Sequence, residues 1–363
     1  MVTTSELHPL LDRPVEVRNG VTGSERPQAL LDALPDRPEP LLDLAHRHVV
    51  SVRQFTRESV VQLCRLAALI ETKPALLHPP LPGKILISAF YEPSTRTRLS
   101  FESAWHRLGG DVISITDRAT TGIAKGESLQ DVAEMFSNYG DLVVLRDNAE
   151  DSVYAMLEGL RIPIINAGNG IDEHPTQALT DLFALLKWRP DLAFGAPGGR
   201  IRIAVVGTPG KMRTVRSLLL LLTLFADAIE EVVVVNPNEE LFAPGQREEL
   251  ERGGLRVCVE RQLRGVLPAC DVVYINAIAW IGDTYERLTG DLQLHAGSPL
   301  KPGAIVLHPL ARGEELDASL DATPHNWYFA QARGAVFIRM ALLSALTQRI
   351  NLLVDAPLPD LER

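Results

Sequence analysis

Between residues 84 and 310 the chain alternates short apolar runs with helix-spaced stretches, and it does so twice. The first series is "KILISAF" (84–90), "DVISIT" (111–116), "DLVVLR" (141–146) and "IPIINAG" (162–168). The second is "IRIAVVG" (201–207), "EEVVVVNP" (230–237), "LRVCVE" (255–260), "CDVVYIN" (270–276) and "AIVLHPL" (304–310). Helical patterns fall between them, as in "RLSFESAWHRLGG", "SLQDVAEMFSNYG" and "HPTQALTDLFALLKW", and a last apolar helix is expected over "GAVFIRMALLSALTQRI". Strands alternating with helices predict parallel sheets covered on both faces, because a parallel crossover needs a helix. The polar, Gly/Pro-rich break "RPDLAFGAPGGR" (189–200) separates the two series, so two α/β domains are expected.

With 363 residues, 46% of them hydrophobic, the chain is long enough for two cores. A net charge of −10 argues against a broad nucleic-acid surface but leaves room for a local basic pocket. Cys64, Cys258 and Cys270 are scattered, without disulfide or metal spacing, and a reduced, cytoplasmic protein is the simplest expectation. The start "MVTTSELHPLLDRPVEVRNG" does not read as a secretory signal, and the apolar run at 217–226 is too short for a bilayer span of about 20 residues.

In open parallel sheets ligands sit beyond the carboxyl ends of the strands. The unusual clusters of this sequence occur there: Glu92 to Arg98, Arg146, His174 to Gln177, Thr208 to Arg213 and His308 to Leu310. In "AFYEPSTRTRLSFE" a strand runs into a helix start that bears Ser94, Thr95, Arg96, Thr97 and Arg98. Such a turn offers N–H groups, hydroxyls and guanidinium charge to an anion. A capped helix with surface arginines is the competing reading of those residues alone.

The run "FYEPSTRTRLSFESAWHRLGG" resembles the carbamoyl-phosphate motif of the aspartate and ornithine carbamoyltransferases. The likeness continues in order through "KGESLQD", "NAGNGIDEHPTQALTDLF", "RTVRSL", "HPLARGEELD" and "TPHNWYFAQA", over about residues 45–350, and is nearer the aspartate branch. It implies a carbamoyltransferase fold of two doubly wound parallel-sheet α/β domains. Their expected extents are an N-terminal extension, partly disordered (1–44), a carbamoyl-phosphate domain (45–180), an acceptor domain (181–333), and a C-terminal helix and tail returning to the first domain (334–363).

The same resemblance implies the site. Ser94, Thr95, Arg96 and Thr97 would hold the phosphate, and Arg146 would bridge phosphate and carbonyl oxygens. His174 would polarise the carbonyl and steady the oxyanion. Gln177, with backbone carbonyls at Pro309 and Leu310, would hold the carbamoyl NH2. Lys125 would reach the neighbouring subunit's site within a homotrimer, with Thr121 in the same loop, and Glu92 would organise arginines. Arg96, Thr97, Arg146 and His174 are the implied catalytic set. Arg213 and Leu310 are the implied acceptor contacts, and Asn276 and Trp280, in a segment that departs from the family pattern, are expected beside them as further acceptor contacts. No metal and no cofactor is implied, since the reaction needs positioning and charge stabilisation.

The acceptor segment "AIAWIGDTYERL" departs from the family. Ala277 and Ala279 stand where the aspartate enzymes carry an arginine and a glutamine, and Asn276 with "WIG" replaces the ornithine enzymes' acid and tripeptide. Ala311 also replaces a usual proline. These departures point to an amino-acid-like amine other than plain aspartate, held by Arg213 and Trp280, as in specialised amino acid metabolism. Authentic aspartate carbamoylation and a catalytically silent carbamoyl-phosphate-binding homologue are the alternatives. A nicotinamide-dependent oxidoreductase is disfavoured, because "VVGTPGKMR" lacks the G-x-G-x-x-G spacing.

Overall fold

A computed structural model describes residues 22–74, 78–276 and 292–351, and the backbone of two short strands at 280–281 and 284–285. The first sheet has four parallel strands in the order β2-β1-β3-β4: β1 (Ile85–Phe90), β2 (Asp111–Ile115), β3 (Leu142–Asp147) and β4 (Ile164–Asn169). β1, β3 and β4 are almost wholly buried, as strands covered on both faces must be, whereas the edge strand β2 is largely open.

The second sheet has five parallel strands in the order β11-β8-β5-β6-β7: β5 (Ile201–Val206), β6 (Ile229–Val235), β7 (Val257–Glu260), β8 (Val272–Ile275) and β11 (Ile305–Leu307). Between β8 and β11 lies an antiparallel pair, β9 (Trp280–Ile281) and β10 (Thr284–Tyr285), which the apolar pattern does not announce. The chain leaves β1 to one side for β2 and returns to the other for β3. It does the same from β5 to β6 and back to β8. Each sheet therefore has a switch point beyond its strand ends, where neighbouring loops diverge and leave a crevice.

Three helices join the layers. α3 (Arg57–Thr72) opens with a reciprocal Thr56/Ser59 capping box and buries Val60, Leu63, Ala67 and Ile70. α7 (Pro175–Trp188) is buried along Pro175 to Lys187, all round its circumference. It runs unbroken past residue 181, so the passage between the sheets begins only after Trp188. α11 (Tyr328–Leu346) packs against α3, α7 and α4 (Thr95–Arg107), which returns the end of the described chain to the first domain. It is apolar enough to span a bilayer by composition, yet its apolar window is 72% buried inside the protein, as in a core helix.

The segment expected as a partly disordered extension is packed from residue 22 onward. It forms α1 (Pro27–Ala33) and α2 (Glu39–Leu42), and Leu30, Leu34, Leu41 and Leu44 enter the main core. Prolines at 27, 35, 38 and 40 break the leucine period into pieces too short to read as helix. Residues 1–21 lie outside the described residues.

Candidate active site

The loop after β1 enters α4 without spending its hydroxyls. Ser94 occupies the N-cap position but its side chain caps nothing, and the hydroxyls of Ser94, Thr95 and Thr97 bond no described group. Elsewhere hydroxyls are used at once, as Ser128 caps α5 (Leu129–Tyr139). Arg96 lies in the first turn of α4, where the helix dipole disfavours a cation, and makes no ion pair with a described residue. Arg98, by contrast, is spent on Glu102 at 3.4 Å. The paired arginines of the sequence thus divide into one free and one structural.

Arg146, next to the end of β3, donates to Glu92 Oε1 at 2.9 Å. Arg213 begins α8 (Arg213–Leu222), again against the dipole, and donates to Glu92 at 3.1 and 3.0 Å and to the Gly170 carbonyl at 2.6 Å. One carboxylate on the first domain therefore gathers a guanidinium from each domain. Burial alone would raise the Glu92 pKa, but Arg213 and Arg146 outweigh it and hold the carboxyl below its usual range. Burial, then repulsion from Arg213, pushes the Arg146 guanidinium down to about 10, with a smaller push from Arg96. It still carries its charge at neutral pH, so the crevice is pre-loaded with cations.

His174 sits between this cluster and the core. Pro175 starts α7, and the His174 backbone N–H donates to Ser217 Oγ on α8 at 2.9 Å. Its ring is buried, with Nδ1 lacking a partner among the described residues. Burial, then Arg146 and Arg213, hold its pKa well below the usual value, so the imidazole is neutral. Gly168 shows how close the groups stand: a methyl group there would lie 3.0 Å from Arg213 Nε and 3.4 Å from His174 Cδ2, on a backbone with φ +113°. A residue with a side chain would fill the space between them.

Gln177, nearly one helix turn on, donates from Nε2 to Asp181 at 2.7 Å. Pro309 and Leu310 follow β11 in a turn organised by His308. The Leu310 N–H donates to His308 Nδ1 at 2.8 Å, which leaves Nε2 as the protonated nitrogen facing Glu315 at 2.9 Å. The Leu310–Ala311 peptide is cis, without a proline. Asn276, after β8, bonds Thr214 Oγ1 at 2.8 Å, beside Arg213. Lys125 and Thr121 stand apart. Lys125 is exposed in the turn Gly122–Lys125 and pairs with no described residue, and the Thr121 hydroxyl bonds the Arg118 carbonyl. The Trp280 side chain, Ala277 and Ala279 lie outside the described residues.

Three buried groups that sequence reasoning passed over support this constellation. Glu173 accepts from Ser51 Oγ at 2.6 Å, the Val52 N–H at 2.9 Å and Arg53 at 2.8 Å, anchoring the residue before His174. Asp181 and Gln331 form a second knot behind Gln177. Their only sequence signal was the i,i+4 spacing of Gln177 and Asp181 within "QALTD".

Two family profiles match the chain: "Aspartate/ornithine carbamoyltransferase, carbamoyl-P binding domain" over residues 47–187, and its "Asp/Orn binding domain" over 200–346. The chain belongs to the aspartate/ornithine carbamoyltransferase family. The aspartate carbamoyltransferase catalytic subunit of Methanopyrus kandleri is 39% identical over 314 residues, 83% of this chain and 97% of that one. That of Methanothermobacter thermautotrophicus is 37% identical over 305 residues, 82% and 95% of the two chains. Among solved structures, Trypanosoma cruzi aspartate transcarbamoylase with aspartate and phosphate superposes with a TM-score of 0.76 at 32% identity, covering 87% of this chain and 99% of that one. The same enzyme with N-(phosphonacetyl)-L-aspartic acid gives 0.74, covering 85% and 97%. This carbamoyltransferase thus shares the two-sheet fold with those enzymes.

Proposed function

We propose that this carbamoyltransferase moves the carbamoyl group of carbamoyl phosphate to the amino group of aspartate. The observation that carries the reading is the Glu92 bridge, which holds Arg146 and Arg213 of opposite domains beside the neutral His174. Two anionic substrates need cations facing one another across a cleft, and this arrangement supplies them. The relatives named above favour aspartate over other amines.

In this reading the phosphate takes the unspent hydroxyls of Ser94, Thr95 and Thr97 with Arg96. Arg146 spans phosphate and carbonyl oxygens, and neutral His174 donates to the carbonyl oxygen. Gln177 and the carbonyls of Pro309 and Leu310 hold the NH2. Arg213 leaves part of its Glu92 bond to take an acceptor carboxylate. The amine nitrogen attacks the carbamoyl carbon, the carbon–oxygen bond to phosphate breaks, and the amine proton leaves with the phosphate. Orientation supplies about 7–11 kcal/mol of such a barrier and oxyanion donors about 3–4 more. Lys125, exposed and unspent in its own chain, fits a contribution to a neighbouring subunit of a homotrimer, and a cytoplasmic location suits the substrates.

A second reading has its own observation. Ala277 and Ala279 occupy positions where the aspartate branch carries its side-chain carboxylate clamp, which favours an amine with a single carboxylate against Trp280. Phosphate release with aspartate, ornithine, short diamino acids and diamines, with products weighed by mass spectrometry, separates the readings. Turnover with aspartate alone upholds the first. Turnover with another amine and none with aspartate upholds the second, and no turnover with any amine leaves the silent homologue.

A further inference from the structure

Helix α7 carries a carboxylate to which the reaction above gives no role. Asp181 is fully buried, and its Oδ1 accepts two amide N–H bonds, from Gln177 Nε2 at 2.7 Å and Gln331 Nε2 at 2.6 Å. A side-chain amide that points its NH2 at a carboxylate must turn its carbonyl oxygen the other way. For Gln331 the consequence is visible: its Oε1 accepts the His308 N–H at 2.9 Å, at the start of the turn bearing Pro309 and Leu310. For Gln177 no described group donates to the outward oxygen. By contrast, the buried amide of Asn166 has both ends occupied, between Val50, Asn169 and the Gly168 N–H.

We propose that Asp181 is a positioning residue that sets the polarity of the carbamoyl-nitrogen subsite. It turns Gln177 Oε1 outward from the first domain and, through Gln331 and His308, fixes the Leu310 carbonyl of the second. The subsite then presents acceptors and no donor, which suits an NH2 and rejects a methyl group or an oxygen. This rests on the reading of Gln177 and Leu310 as the NH2 contacts. An asparagine at 181 offers either end of its amide to its neighbours, and so lets Gln177 turn over.

The test compares carbamoyl phosphate with acetyl phosphate, in which a methyl group replaces the NH2 and the phosphate and carbonyl are unchanged. The readout is the ratio of the acetyl phosphate inhibition constant to the carbamoyl phosphate KM. Asp181→Asn is expected to lower this ratio about tenfold, while inhibition by inorganic phosphate and the circular dichroism spectrum stay as in the parent. Gln177→Ala should lower it as well. If Gln177→Ala keeps the parent ratio, the reading of the subsite fails. If Gln177→Ala lowers it and a folded Asp181→Asn does not, or loses affinity for both ligands equally, the proposal alone is overturned. Should Asp181→Asn fail to fold, Gln331→Leu cuts one branch and is expected to lower the ratio about threefold. An unchanged ratio there overturns the proposal.

Discussion

Arg213 reaches across the cleft and donates through Nη2 to both oxygens of Glu92, at 3.1 and 3.0 Å. Arg213 opens the first helix of the second sheet, and Glu92 follows the first strand of the other. The contact therefore joins the two switch points across the cleft.

Glu92→Gln removes the charge that gathers Arg146 and Arg213 while keeping the shape. The two guanidinium groups then repel each other, and both lose a charge-assisted bond of about 1.5–3 kcal/mol. Carbamoyl phosphate KM should hold or fall, because the site is more positive. By contrast, kcat should drop about tenfold to a hundredfold. A raised KM with unchanged kcat would count against Glu92 as organiser.

His174→Ala should lower kcat about a hundredfold to a thousandfold, the usual loss of one oxyanion donor. Inhibition by inorganic phosphate should change little. Since the folded His174 pKa lies well below 6.5, mainly through burial, the ring stays neutral in the native state while the unfolded chain takes up a proton. His308 is lowered likewise, burial outweighing Glu315. On unfolding these two histidines take up protons below pH 6.5, which lowers stability as pH drops from about 6.5 to 5, while Asp181, pushed up to about 7 mainly by burial, releases one over the same window and makes the slope shallower. Urea midpoints across that window check the sign, and the slope should lessen in His174→Ala.

Shared sites would show in mixtures. Lys125→Ala and His174→Ala subunits should each be nearly inactive alone and recover part of the parent activity when dissociated and reassociated together, because some sites then draw both residues from parent sequence. No recovery would place Lys125 in its own subunit's site or outside any.

Leu30 is fully buried in the main core although it precedes both sheets. Leu30→Ala should cost about 2–5 kcal/mol, the range for a buried leucine truncation. A loss within about 0.5 kcal/mol would mean that α1 is only lightly attached.

Much of the cleft was legible because its chemistry is local. Strand ends are marked by the apolar runs, and "EPSTRTR", "HPTQ" and "HPL" each place their groups within a few residues of one such end. What needed the third dimension was the pairing of those groups. Arg98 could be told from Arg96 by the i,i+4 spacing to Glu102 on one helix, but its contact with Ser114 on β2 could not. Glu173 and Asp181 read as ordinary members of a loop and a helix, since their partners Arg53 and Gln331 are 120 and 150 residues away.

By itself, then, the sequence determined two parallel sheets, the order of their strands along the chain and the positions of Glu92, Arg146, His174 and Arg213 at or after the ends of strands. Periodicity and turn chemistry act over a few residues and are written linearly. Tertiary structure alone decided that one carboxylate would hold an arginine from each domain, that α1 would join the core, and that Asp181 would hold the amide of Gln331 beside that of Gln177. Each of these depends on burial against a distant segment, where a charge or an amide must find its partner or be left unpaired away from water.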